Sequence, residues 1–214
     1  MSREKSWKPY IGVIIQARTT STRLPGKVLQ EIHGRTVLER VVRRAETARI
    51  VDKVVIAVPR GSKVPHYGAE IFYGSEENVL ERYYECAAFH GFDVIVRITA
   101  DCPLVPPSEI DRCLDEFLDS GADYVTNRPA VPDGWDVEVF TYVSLRNAYL
   151  NATESFDVEH VTPYIKRNEL LHKINLEAPK LSVDTLDDLN IVREFYDLER
   201  QDYSDNWWNR LFRH

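Results

Sequence analysis

Ile11-Gly-Val-Ile-Ile15 is a continuous, mostly β-branched apolar run, the pattern of a strand buried on both faces. A polar stretch from Gln16 to Lys27 follows it. Next comes Thr36-Val-Leu-Glu39, where Thr36 and Glu39 are spaced to satisfy each other's backbone donors at a helix start. Val37, Leu38, Val41, Val42 and Ala45 then recur at helical spacing, and Lys53-Val-Val-Ile-Ala-Val58 is a second buried strand. Strand, loop, helix and strand in that order form a βαβ unit, with a right-handed crossover into a parallel sheet.

The pattern repeats downstream. Glu70 to Tyr73 reads as a short strand, and Ser75 as the cap of a helix carrying Val79, Leu80, Tyr83, Tyr84 and Ala87 on one face. Val94-Ile-Val-Arg-Ile98 is another strand; Ile110, Cys113, Leu114, Phe117 and Leu118 mark another helix. Strands are predicted at Asp123–Thr126, Val137–Thr141, Ile174–Leu176 and Leu181–Val183, and helices at Ser144–Leu150, Asp157–Asn168 and Leu186–Leu198. With no linker or repeat, one α/β domain over residues 1–214 is expected.

The 214 residues carry a net charge of −7, which argues against general affinity for nucleic acid or anionic membrane. Seven basic residues (Arg18, Arg23, Lys27, Arg35, Arg40, Arg43, Arg44) against Glu31 and Glu39 nevertheless make a basic corner. Arg18, Arg23 and Lys27 fall in the loop after the first strand, whereas Arg40, Arg43 and Arg44 read as a solvated helix face. Cys86, Cys102 and Cys113 have no metal-ligand spacing and read as reduced thiols. The polar Met1–Lys8 shows no apolar signal segment, and a cytoplasmic location is expected.

Ligands of open α/β sheets sit beyond the carboxyl ends of the strands. Three such ends carry candidate residues. The loop Gln16–Lys27 offers Arg18, Arg23, Lys27 and four successive hydroxyls, Thr19 to Thr22, donors that suit a polyphosphate. It is not a Walker loop, since position 21 is Ser and Lys27 precedes Val28. It reads equally as a solvated basic loop. Asp101, beyond the strand ending near Ile98, and Asp184, before the last helix, are carboxylates of the kind that hold Mg²⁺ together with substrate phosphates. Each could instead cap a helix, and Thr185 could fill that role beside Asp184.

Ile14-Ile-Gln-Ala-Arg-Thr-Thr-Ser-Thr-Arg-Leu-Pro-Gly-Lys-Val-Leu29 resembles the opening motif of the sugar-acid cytidylyltransferases, which act on acylneuraminate or 3-deoxy-manno-octulosonate. The resemblance is closest to the spore coat polysaccharide biosynthesis protein F group. Gly74–Tyr84, Arg97–Leu104, Pro132–Phe140, Glu159–Tyr164 and Ser182–Thr185 are also similar to that group, in order along the chain. The resemblance implies a three-layer, Rossmann-like nucleotide-diphospho-sugar transferase fold with a mostly parallel central sheet. It further implies Mg²⁺-dependent transfer of CMP from CTP to a small anionic acceptor, with release of pyrophosphate.

By the same resemblance, Ala17, Arg18, Ser21, Arg23, Lys27 and Thr99 would hold the nucleotide, with Ser75 and its neighbours near the cytosine and Asp101 and Asp184 on the metal. Arg18, Arg23, Lys27 and Asp101 would carry catalysis, and Asp136, Glu138 and His160 would fall toward the acceptor or a partner in a homodimer. His160 reads equally as a helix-start or interface residue, and Trp135 reads as core. Residues 1–9 form a tail, about 130–180 an acceptor or dimerisation portion, and 203–214 an extension whose Trp207-Trp208 pair would dock on the domain or a second subunit. One departure stands out. Only about ten residues, with Pro59 and Pro65, separate Val58 from Glu70, too few for a crossover helix. The family has a helix there, so its loss leaves the base preference open. A glycosyltransferase using a nucleotide sugar and a non-catalytic nucleotide-binding or scaffolding protein are the alternatives, the first weakened by a single carboxylate in Thr99-Ala-Asp101.

Overall fold

The fold is that of a computed structural model, which describes residues 8–21, 23–127, 133–173 and 181–201, the side chains at 171–173 and 198–201 excepted. In chain order the elements are β1 (Ile11–Gln16), a hairpin of β2 (Glu31–Ile32) and β3 (Arg35–Thr36), α1 (Val37–Glu46), β4 (Lys53–Pro59) and β5 (Glu70–Gly74). Then come α2 (Val79–His90), β6 (Val94–Thr99), α3 (Pro107–Ser120), β7 (Tyr124–Thr126), β8 (Glu138–Thr141), α4 (Tyr142–Asn151), α5 (Ser155–His160), α6 (Pro163–Asn168), β9 (Leu171–Lys173) and α7 (Leu186–Gln201).

The central sheet has the order β5-β4-β1-β6-β8-β7-β9. β1 lies parallel between β4 and β6, β5 adds parallel to β4, and β8 alone runs antiparallel to both its neighbours. Successive β1 residues point to opposite faces. Val13 and Ile15 pack with Val41 and Val42 of α1 and Ile110 and Leu114 of α3, while Ile14 packs with Leu80 and Tyr83 of α2 and Ile165 of α6. A third cluster joins Leu189, Val192 and Tyr196 of α7 to Trp135, Leu104, Leu181 and Val183. Trp135 is therefore core. The three cysteines are buried and unpaired, and among the described residues no helix is long and apolar enough to cross a membrane.

Several local expectations need correction. Ser75 does not cap α2; Asn78 does, its side chain accepting from Glu81 N at 2.8 Å, while Ser75 Oγ accepts from Asn78 N. The single helix expected over Asp157–Asn168 is two, broken at Val161. That residue has φ 69° and ψ −55°, and Thr162 N donates to His160 O at 2.8 Å across it, a strained γ-turn before Pro163 opens α6. Leu181–Val183 is extended but joins no ladder. Its amides donate instead to Asp133 O and Asp101 O. A strand falls at Leu171–Lys173, whereas Ile174–Leu176 and Trp207-Trp208 lie outside the described residues.

Arg40 and Arg44 are not a solvated face. Arg40 donates to Ile32 O and lies over the Tyr196 ring at 3.8 Å, and Arg44 donates to the Tyr196 hydroxyl, so both dock α7. Only turns connect β4 to β5, as the short prolyl segment dictates.

Candidate active site

A cleft of about 810 Å³ opens where β1, β4 and β6 end, at their carboxyl edge. Gly26, at φ 64°, makes the left-handed turn that ends the loop after β1, and Lys27 follows it into the floor, only 9% exposed. Lys27 Nζ lies 2.5 Å from Asp101 Oδ2 and 3.0 Å from Asp184 Oδ1. Arg23 reaches the same Asp184 oxygen at 2.9 Å. Asp101 and Asp184 meet because Val183 N donates to Asp101 O at 2.8 Å, drawing the chain before α7 onto the loop after β6.

Neither aspartate is used as a cap. Thr185 and Asp188 form a reciprocal cap on α7, Asp188 N donating to Thr185 Oγ1 and Thr185 N to Asp188 Oδ2. Burial pushes the Asp101 carboxyl up, but Lys27 and the Thr99 hydroxyl outweigh it and hold the group ionised below its ordinary range. Burial likewise opposes the charge on Lys27, and Asp101 and Asp184 together hold its pKa above the usual lysine value. Beside them burial, Asp101 and Asp136 all push the Cys102 thiol up, so it stays protonated.

The two carboxylates thus converge on one cation, the Lys27 ammonium. This donor set suits Mg²⁺, which takes one or two carboxylates and fills its remaining positions with water and phosphate oxygens. Among the described residues no cluster of three His, Cys, Asp or Glu side chains offers a complete protein cage.

The sequence candidates divide by position. Arg18, Arg23, Lys27, Thr99, Asp101, Asp184 and His160 line the cleft together. Ala17 is buried behind the loop with its amide on Ala57 O, and Ser21 Oγ accepts the Leu24 amide within the loop. Ser75 is half-buried, and its carbonyl accepts from Arg82 Nη1. Thr22 lies outside the described residues.

Asp136 and Glu138 are not in the cleft wall. Glu138 is 1% exposed and closed in by Arg97, Lys166 at 2.6 Å, the Tyr124 hydroxyl and the Thr162 hydroxyl at 2.9 Å. Burial raises its pKa, but Arg97 and Lys166 reverse this and hold it far below the carboxylate range. Of the neighbours of Ser75, Glu76, Glu77 and Asn78 line the cleft; sequence reasoning missed Gln16 and Arg82, which line it too. The position of Gln16 at the end of β1 was the available signal for it; Arg82 sits inside an amphipathic helix and gave none.

Known proteins resemble this chain over most of its length. The pattern of a family described as cytidylyltransferase matches residues 12–205. An uncharacterized protein of Methanocaldococcus jannaschii is 36% identical over 85% of this chain and 81% of its own. The spore coat polysaccharide biosynthesis protein SpsF of Bacillus subtilis is 32% identical over 89% of each. Among solved structures, a cytidylyltransferase from Leptospira borgpetersenii superposes with a TM-score of 0.82 at 25% identity, covering 92% of this chain and 90% of that one.

Proposed function

The chain belongs to the cytidylyltransferase family, and from that premise we propose that it transfers CMP from CTP to a small anionic acceptor, in a reaction dependent on Mg²⁺. The acceptor is a sugar acid, a phosphonate or a phosphate, and the product leaves with pyrophosphate. The observation that carries this reading is the pair Asp101 and Asp184 converging on one cation in a cleft whose loop also presents Arg18 and Arg23.

Asp101 and Asp184 would hold the Mg²⁺, which when bound supplies charge neutralisation at the phosphates and a lowered acceptor pKa. The remaining chemistry is positioning. An acceptor oxygen attacks the α-phosphorus, and the bond to the pyrophosphate oxygen breaks. Arg18, Arg23 and Lys27 stabilise the charge that builds on the departing pyrophosphate. Lys27 must leave the carboxylates to do so, exchanging them for phosphate oxygens as its anionic partners. Ser75 and Asn78 lie on the side where the base would rest. His160 lines the cleft next to the strained turn at Val161 that ends α5, where an acceptor carboxylate would meet it. Residues of about 130–180 serve the acceptor or a homodimer contact, and a cytoplasmic location accords with CTP as donor.

The test is pyrophosphate release from CTP and Mg²⁺ with 3-deoxy-manno-octulosonate, N-acetylneuraminate or a phosphorylated polyol. Thermal shifts with CTP, UTP, GTP and ATP would establish the base, because a bound ligand stabilises by mass action. No shift with any nucleotide, at millimolar concentration with Mg²⁺, would sink the reading.

A further inference from the structure

Arg82 is a buried guanidinium that no carboxylate among the described residues pairs with. Its side chain is 1% exposed, yet it lines the cleft. Nη1 donates to the Ser75 carbonyl and Nε has no hydrogen-bond partner. Among the described residues it makes no ion pair. The protein has made room for it: a Cβ on Gly74, the last residue of β5, would come within 2.6 Å of Arg82 Cγ. Gly74 is not in a left-handed conformation, so what its missing side chain provides is space for the arginine.

A buried charge without a counter-ion is costly to keep. Burial pulls the guanidinium pKa down, and the Arg18 charge pushes the same way. Arg18 itself is exposed on the cleft wall and has no ion pair among the described residues. Two guanidinium groups that repel each other beside an open cleft are stabilised by one anion placed between them. Glu76, the acidic residue that attracts Arg82, is exposed on the loop before α2. It is solvent-screened and cannot replace a direct partner.

We propose that Arg82, together with Arg18, binds a phosphate group of the nucleotide, forming an anion subsite separate from the Lys27–Asp101–Asp184 cluster. The inference rests on the nucleotidyl-transfer reading and assigns a residue outside the loop after β1 to the polyphosphate. A guanidinium fork suits this task, since two of its N–H groups meet two phosphate oxygens. The hydrogen bond to Ser75 O fixes the group at one end, so little side-chain freedom is lost when the anion arrives.

The experiment is titration calorimetry of wild type, Arg82→Met and Arg82→Lys with CTP, inorganic pyrophosphate and cytidine, each with Mg²⁺. Arg82→Met should weaken CTP and pyrophosphate by about tenfold or more, the scale of a lost charge-assisted hydrogen bond, and leave cytidine unchanged. Arg82→Lys should recover part of the loss. Unchanged pyrophosphate binding in Arg82→Met overturns the inference. So does an equal loss for cytidine and CTP, which would make Arg82 a positioning residue for the Ser75 loop.

Should Arg82→Met fail to fold, Gly74→Ala answers the same question, because its Cβ dislodges the guanidinium while keeping the charge. It should weaken pyrophosphate selectively, and no loss there overturns the inference. Wild type that does not bind CTP would defeat the proposed function itself. Wild type that binds it, with variants that bind all three ligands equally well, defeats only the role of Arg82.

Discussion

Two ionic clusters stand a few residues apart along β6 and the loop after it, and they differ in one respect. Arg97 turns into the protein and meets Glu138, which also takes Lys166, Tyr124 and Thr162. Asp101 turns into the cleft and meets Lys27, which also takes Asp184. Both are cation–carboxylate sets in partly desolvated surroundings. The first is built round a Glu138 carboxylate closed off from solvent and ties β6, β7, β8 and α6 together. The second faces about 810 Å³ of open cleft and ties together only groups that a nucleotide and metal would rearrange. Charge enclosed by protein specifies a fold; charge left at a cleft wall is available for chemistry.

Glu138→Gln should produce the largest effect, a loss of about 3–5 kcal/mol, because Arg97 would remain buried without its partner. Urea unfolding measures it. Glu138 and Asp101 are both held below their ordinary range, so their stabilisation is present above the unfolded carboxylate pKa near 4 and is lost as pH falls below it. The unfolding midpoint of wild type should therefore drop on acidification below about pH 4, and that drop should be shallower in Glu138→Gln.

Asp101→Ala should invert the pattern. CTP-dependent pyrophosphate release should fall on the order of 10²–10³-fold, while the unfolding midpoint moves much less than in Glu138→Gln. A variant that is as unstable as Glu138→Gln yet fully active would erase the distinction between the clusters. Lys27→Met probes the open cluster alone. With the ammonium removed, nucleotide-free protein should bind Mn²⁺ more tightly, by about tenfold, as read by electron paramagnetic resonance. Equal or weaker Mn²⁺ binding would show that Lys27 does not compete for the carboxylates. Thr185→Ala, which removes the cap that leaves Asp184 available, should cost about 1 kcal/mol in urea unfolding and little activity.

What could be read from the sequence follows from what is local. β1, β4 and β6 announce themselves because strands covered on both faces are apolar throughout, and Asp101 and Asp184 because they end strand-like runs. The antiparallel run of β8 left no trace, since alternation has no direction. Arg40 and Arg44 read as surface because their partner, Tyr196, lies about 150 residues on. Ser75 lost the cap to Asn78 through a three-residue difference that periodicity does not resolve. Arg82 was hidden for a related reason: its meaning depends on Gly74 across a turn, and on Arg18 on a different strand's loop.

The amide of Val183 on the carbonyl of Asp101 has a consequence in time. Lys27 and Asp184 are 157 residues apart, so at roughly 5–20 residues per second a ribosome adds the second about 8–30 s after the first. During that interval the nascent sheet β5-β4-β1-β6 can already assemble, with Lys27 holding Asp101 alone. Asp184 therefore reaches Lys27 only after the segments that carry Lys27 and Asp101 have both been made, and the Val183 amide is what joins the later segment to the earlier ones.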